Sequence, residues 1–300
     1  MKNLIFILSL LPTLLFAQED LLGELDKQAK TTDYAFATFK GTRIGNGHTV
    51  ETKGKNTLEF IFQHRFGAIN GGAYELYGLD QAYVRLALDY GITDKLSVSI
   101  GRNSFDKTMD GFVKYKLLRQ SKGERNFPVT VTALGVAAYK LSPKNNTDVS
   151  PDFRNVDRLS YTGQLLIARK FSRNFSFQLM PTFVHKNAIN YDVEEANHDQ
   201  FALGFGGRLK ISKSIALTGE YYANFNLGEH YVGGVLTPYY NSLCLGIDIE
   251  TGGHVFQLLL TNAVGLTERA FVTETTDNFF DGTIHLGFNV TRTFQLKKKQ

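Results

Sequence analysis

From Thr57 onward the chain alternates apolar and polar residues with a period of two, the spacing of strands with one apolar and one polar face. Leu58, Phe60 and Phe62 alternate with Glu59, Ile61 and Gln63. Ala82, Val84, Leu86, Leu88 and Tyr90 alternate with Gln81, Tyr83, Arg85, Ala87 and Asp89, and the same rhythm returns through 201–206, 242–249 and 283–290. It predicts twelve strands, near residues 58–66, 79–90, 95–103, 112–119, 128–139, 158–171, 174–186, 199–210, 215–225, 239–250, 254–262 and 281–294. At ~3.3 Å per residue and a tilt of about 40°, about ten residues rise ~25 Å, which crosses a bilayer. Soluble strands commonly run to only about five or six residues.

The connections carry a second pattern. Tight turns at 91–94, 172–173, 211–214 and 251–253 alternate with longer connections at 67–78, 104–111, 140–157, 187–198, 226–238 and 263–280; only 120–127 is longer than its place requires. Short turns at one end and long loops at the other are the asymmetry of a bacterial outer-membrane barrel, with turns periplasmic and loops extracellular. A secreted β-sandwich or jelly roll also alternates but requires neither the strand length nor the loop order. The expected fold is all-β: a transmembrane antiparallel up-and-down β-barrel of about twelve strands over 57–296, with both termini in the periplasm.

Upstream, Lys2, the apolar run Leu4–Leu15 and Phe16-Ala17 before Gln18 read as a cleaved secretory signal over 1–17, too short for a spanning helix. Residues 18–56 lack the alternation and form either a periplasmic leader or a plug in the lumen, where Arg43, His48 and Glu51 can pair with charges of the wall. Residues 297–300 are a solvated basic tail. The lone Cys244, far from the signal and inside a strand pattern, excludes a lipoprotein anchor and a disulfide framework and reads as a small packing residue.

The net charge of +4 is small and scattered, which argues against a nucleic-acid partner. If the apolar face meets lipid, the polar face lines the lumen with Glu59, Arg65, Arg85, Asp89, Lys114, Lys116, Arg208, Glu220, Asp248 and Glu250. Charges there must be hydrated or paired, so the set either cross-links into a network that fills the barrel or lines a small wet pore. With no Trp in the chain, Tyr90, Tyr115, Tyr139, Tyr161, Phe171, Phe175, Tyr221, Phe225, Tyr239 and Phe294 near strand ends supply the interfacial aromatics.

Candidate chemistry adds little. The chain has no Gly-x-Ser-x-Gly elbow and no His-x-Ser-Asn-Gly run, so a membrane lipid hydrolase finds no motif and the expectation is non-enzymatic. Asp192, Glu194, Glu195 and His198 lack the spacing of a calcium loop and read as a solvated acidic loop, so no metal or other cofactor is expected. Gly204-Phe205-Gly206-Gly207 lies in a strand pattern without a following helix and marks a place where the wall needs small residues, not a phosphate loop.

The stretches Thr38-Phe39-Lys40-Gly41-Thr42-Arg43-Ile44, His48-Thr49-Val50-Glu51-Thr52 and His64-Arg65-Phe66-Gly67 are distinctive, as are Tyr90–Ser97 and Asp110–Gln120. Together they resemble a membrane-bound β-barrel family of unknown function found in Bacteroidetes, over essentially the whole chain after the signal. The resemblance implies an outer-membrane barrel with no assigned activity and no catalytic residues to carry over. The closing strand ends on Phe294 and resembles the terminal strand by which outer-membrane barrels are recognised, implying the barrel assembly machinery as a partner beside outer-membrane lipid. Two functions stay open: a passive or gated channel, or transport-associated barrel, for a small solute, with Arg65, Arg85, Asp89 and Arg208 as first wall residues; or a closed structural barrel whose loops 140–157 and 263–280 bind an outer partner and whose other end docks a periplasmic protein.

Overall fold

A computed structural model describes residues 31–141, 154–189 and 197–296. The signal reading at 1–17, the basic tail, Asp192, Glu194, Glu195 and most of the 140–157 connection lie outside the described residues. In chain order the strands are β1 (Thr32–Tyr34), β2 (Thr57–Ala68), β3 (Ala82–Gly91), β4 (Leu96–Asn103), β5 (Thr108–Leu118), β6 (Ser121–Gly123), β7 (Thr130–Lys140), β8 (Leu159–Lys170), β9 (Phe175–Lys186), β10 (Asp199–Lys210), β11 (Ile215–Asn224), β12 (Glu229–Val232), β13 (Val235–Pro238), β14 (Leu243–Glu250), β15 (His254–Thr261) and β16 (His285–Gln295).

Twelve of them close an antiparallel barrel in chain order, β2-β3-β4-β5-β7-β8-β9-β10-β11-β14-β15-β16, with β16 returning to β2. Each predicted strand is present, with shifts mainly at the ends. The strand expected from 79 starts at Ala82 because Leu79 and Gln81 donate to Leu76 and Gly78 carbonyls in a turn. The strand expected from 239 starts at Leu243, since Tyr240 N–H donates to Thr275 O of a neighbouring loop.

The alternation fixes the faces. Leu86, Phe201 and Leu258 point outward at 45%, 55% and 55% exposure, while their chain neighbours Ala87, Ala202 and Leu259 are buried inside. A continuous apolar outer surface of this kind is stable only against lipid. Among the described residues no helix is long and apolar enough to cross a membrane.

Three connections refine the expectation. The 104–111 loop is a tight turn over 104–107, because β5 begins at Thr108. The long 120–127 turn contains β6, which pairs with β1, so its extra length holds the N-terminal segment against the turn side. The third matters most. The 263–280 loop was expected to project outward as a docking loop, yet its first part turns into the barrel, and every residue of the short helix Glu268–Thr273 is buried. The physical reason lies in Leu266, Ala270, Phe271 and Val272, which the lumen buries to 2% exposure or less.

Candidate functional site: a lumen closed from both ends

The residues between β1 and β2 enter from the turn side and fold into a hairpin inside the barrel. Ile44 N–H donates to Gly47 O at 2.9 Å, Thr49 N–H to Thr42 O at 3.0 Å and Thr49 Oγ1 to Gly41 O at 2.8 Å. All residues from Gly41 to Val50 are buried. The tip is Gly45-Asn46-Gly47, and small size is required there: a Cβ on Gly47 would overlap the Tyr222 hydroxyl. Gly206 serves the same fit from the wall, since a Cβ there would overlap the Ile44 side chain, which answers why β10 needs small residues.

The wall grips this hairpin mainly by its main chain. Glu220 accepts from Asn46 N–H at 2.5 Å and from Gly47 N–H at 3.0 Å. Asn289 Nδ2 donates to Gly45 O at 2.8 Å, Gln257 Nε2 to Ile44 O at 2.8 Å and Gln178 Nε2 to His48 O at 2.7 Å. Gln178 Oε1 accepts from Val50 N–H at 2.8 Å, Thr132 Oγ1 donates to Val50 O at 2.9 Å, and Lys114 Nζ donates to Thr49 O at 3.1 Å. Arg65 Nη2 holds the Asn46 side-chain oxygen at 2.8 Å. Lower down, Glu59 accepts from Thr42 Oγ1 at 2.8 Å and pairs with Lys53 at 2.5 Å, and Lys116 pairs with Glu51 at 3.3 Å.

The inward-turned loop meets the hairpin in mid-lumen. Glu268 Oε1 lies 3.1 Å from Arg43 Nη1 and 3.2 Å from His48 Nε2, with all three residues buried. Above this contact, Arg269 pairs with Glu274 and, at 2.7 Å, with Asp106; Lys186 reaches Glu274 at 3.4 Å. Phe271 packs edge-on against Tyr222, and Asn224 Nδ2 donates to Val272 O at 3.0 Å. Phe39, Ile44 and Val50 of the N-terminal segment, Phe112, Leu166, Met180 and Tyr222 of the wall, and Phe271 and Val272 of the loop form one hydrophobic cluster inside the barrel.

Burial, reinforced by Arg43, Lys114 and Arg85, pushes the His48 imidazole well below its ordinary value and keeps it neutral. Burial alone would raise the Glu274 carboxyl, but Arg269 and the lysines Lys186 and Lys140 override it and hold the group well below the usual carboxylate range.

Glu59, Arg65, Arg85, Asp89, Lys114, Arg208, Glu220 and Asp248 are all inward and buried, and Lys116 is half-buried at the same parity. Several pair along the wall: Arg85 forks onto Asp110 at 3.0 and 2.5 Å, Arg208 pairs with Glu250, Asp89 accepts from Ser99 and Asp248 from Gln257. Arg43 and His48 face Glu268 of the inward loop instead of the expected wall charge, because that loop brings its carboxylate into the lumen beside them; of the three, Glu51 pairs with the wall, at Lys116. Counting charges missed the amides Gln178, Gln257 and Asn289 and the loop carboxylate Glu268. The amides recur at inward positions of predicted strands, and that parity was the available signal.

The membrane bound beta barrel domain family (DUF5777) matches residues 39–294, and the chain belongs to that family. The match begins at Phe39, so it takes in the hairpin as well as the barrel. No curated protein matches. Among solved structures, the chain is similar to the KdgM porin (8% identity, 79% of this chain and 99% of that one, TM-score 0.45). It is also similar to an outer membrane channel from Pseudomonas putida F1 (13%, 81% and 96%, 0.47) and to outer membrane phospholipase A from Escherichia coli (12%, 84% and 97%, 0.43). These likenesses assign no solute or reaction to this chain.

Proposed function

We propose that this barrel is an outer-membrane channel for small hydrophilic solutes, sealed at rest by its own residues 38–52 and non-enzymatic. The observation that carries the reading is the chemistry of the grip. Glu220, Gln178, Lys114, Thr132, Gln257 and Asn289 bind main-chain groups of the hairpin. Each of those wall groups is satisfied equally by water, so the wall suits a filled lumen and a wet one. Delivery through a cleaved signal at 1–17, insertion by the barrel assembly machinery and a Bacteroidetes origin complete the proposal.

Planar-bilayer recording tests it. The intact chain is expected to be silent or to open rarely, and removal of 38–52 should give frequent discrete steps whose size follows salt concentration. Silence of both forms, with both still running as heat-modifiable barrels on gels, would reject the channel and favour a closed barrel that serves as a docking platform.

A further inference from the structure

We infer that the turn-side rim of the barrel is a binding belt for anionic phospholipid headgroups, seated at two arginine–aromatic pairs on opposite sides of the ring. On β8 the Arg169 guanidinium lies over the Phe171 ring at 5.2 Å, and on β16 the Arg292 guanidinium lies over the Phe294 ring at 4.9 Å. β8 and β16 stand half a turn apart in the twelve-strand ring, so the two pairs face opposite directions in the bilayer.

Both arginines sit at outward parity. Their chain neighbours Ala168 and Thr291 are buried in the lumen, whereas Arg169 and Arg292 are exposed. Each pair lies at the turn end of its strand, which a membrane-spanning barrel holds at headgroup depth. A guanidinium at that depth keeps its charge and presents a donor fork that matches phosphate oxygens. Among the described residues, neither arginine has a carboxylate within ion-pair distance. The turns around them add exposed Lys95, Lys122, Arg125, Arg173 and Lys213 against Asp94 and Glu124. Among the described residues the loop-side rim mixes signs, with exposed Asp80 and Asp281 beside Lys107 and Arg154, whereas the turn side carries a positive excess. An acidic protein would also answer this charge, but it would engage the turn tips and would have no use for outward rings at bilayer level. The ring-backed seats favour lipid.

Native mass spectrometry of the full barrel, carried from nanodiscs of mixed phosphatidylglycerol and phosphatidylcholine, counts the lipids retained. The native chain is expected to keep phosphatidylglycerol in preference, and an Arg169→Gln/Arg292→Gln variant should lose roughly fivefold of that preference for each arginine removed. Heat-dependent gel mobility shows that the variant barrel is still folded. Equal retention of the two lipids by the native chain, or an unchanged preference in the double variant, would overturn the inference. So would a preference that disappears on Lys122→Gln/Arg125→Gln instead, since those side chains stand on a turn beyond the barrel wall.

Discussion

Substituting Glu268→Gln tests whether the inward loop holds the N-terminal hairpin in place. Glu268 is the carboxylate that faces both Arg43 and His48, and it and Arg43 are each 3% exposed. Removing one partner of a buried ion pair costs about 3–5 kcal/mol, because the remaining charge is left uncompensated. Glutamine keeps an oxygen acceptor, and Arg43 Nη1 also donates to Asn46 O at 3.1 Å, so the low end, about 3 kcal/mol, applies. That is roughly a hundredfold shift between seated and withdrawn hairpin. Hydrogen exchange in nanodiscs reads it directly: the amides of Ile44, Thr49 and Val50, each bonded in the seated state, should exchange about a hundred times faster. The main-chain ladder amides that strands β9 and β10 exchange with each other, which bond neither the hairpin nor the loop, serve as the internal standard. A change of less than about threefold at the hairpin amides, or equal acceleration in those strands, would refute the coupling of loop and hairpin.

Gly47→Ala should unseat the hairpin by about 1–3 kcal/mol through overlap with the Tyr222 hydroxyl, seen as more frequent channel openings with unchanged barrel mobility on gels. His48 is held below its ordinary value of 6.5, so on acidification through that value the withdrawn hairpin takes up a proton that the seated one refuses. Seating should be fully stable above about pH 6.5 and weaken below it by up to about 1.4 kcal/mol per pH unit, and openings recorded against pH should lose that slope in His48→Gln. Glu274 adds a separate loss: its carboxyl is held below the ordinary 4.5, so its stabilisation is complete above that value and fades as pH falls beneath it, seen as loosening of the inward loop by exchange.

The wall was legible because a strand between lipid and lumen has a strict period of two, and a one-residue slip would expose Arg85 or Asp89 to lipid. Hence the inward set from Glu59 to Asp248 followed from parity alone. Residues 38–52 had no such signal: their shape comes from a Gly-Asn-Gly tip and from hydrogen bonds between their main chain and side chains of distant strands, and neither has a period. The inward loop hid for another reason. Its position between the last two strands argued for solvent, and only the apolar content of Leu266, Ala270, Phe271 and Val272 argued against it. An apolar cluster inside a long loop is the feature that separates a loop folded into the lumen from one that extends away from the membrane.

The two fillings are not chemically alike, and the difference says which one is built to leave. The loop is anchored by Phe271 against Tyr222, by its other apolar side chains and by the Arg269, Glu274 and Asp106 network, so withdrawing it exposes apolar surface and separates buried charges. The hairpin places only Phe39, Ile44 and Val50 in the hydrophobic cluster, meets the loop through the Arg43–Glu268 pair, and is otherwise held mainly by hydrogen bonds, most of them to its main chain. Water replaces such bonds at a net cost of about 0.5–1.5 kcal/mol each, far below their strength in a dry interior. A permanent filling gains nothing from buried charges that well-packed apolar residues would not supply. A removable one needs a wall that remains acceptable when wet, and Glu59, Arg65, Lys114, Glu220 and Asp248 make it so. On the proposed channel reading, opening begins at the turn side, with the hairpin, and the Glu268 contact sets how much of the loop's stability the hairpin must overcome.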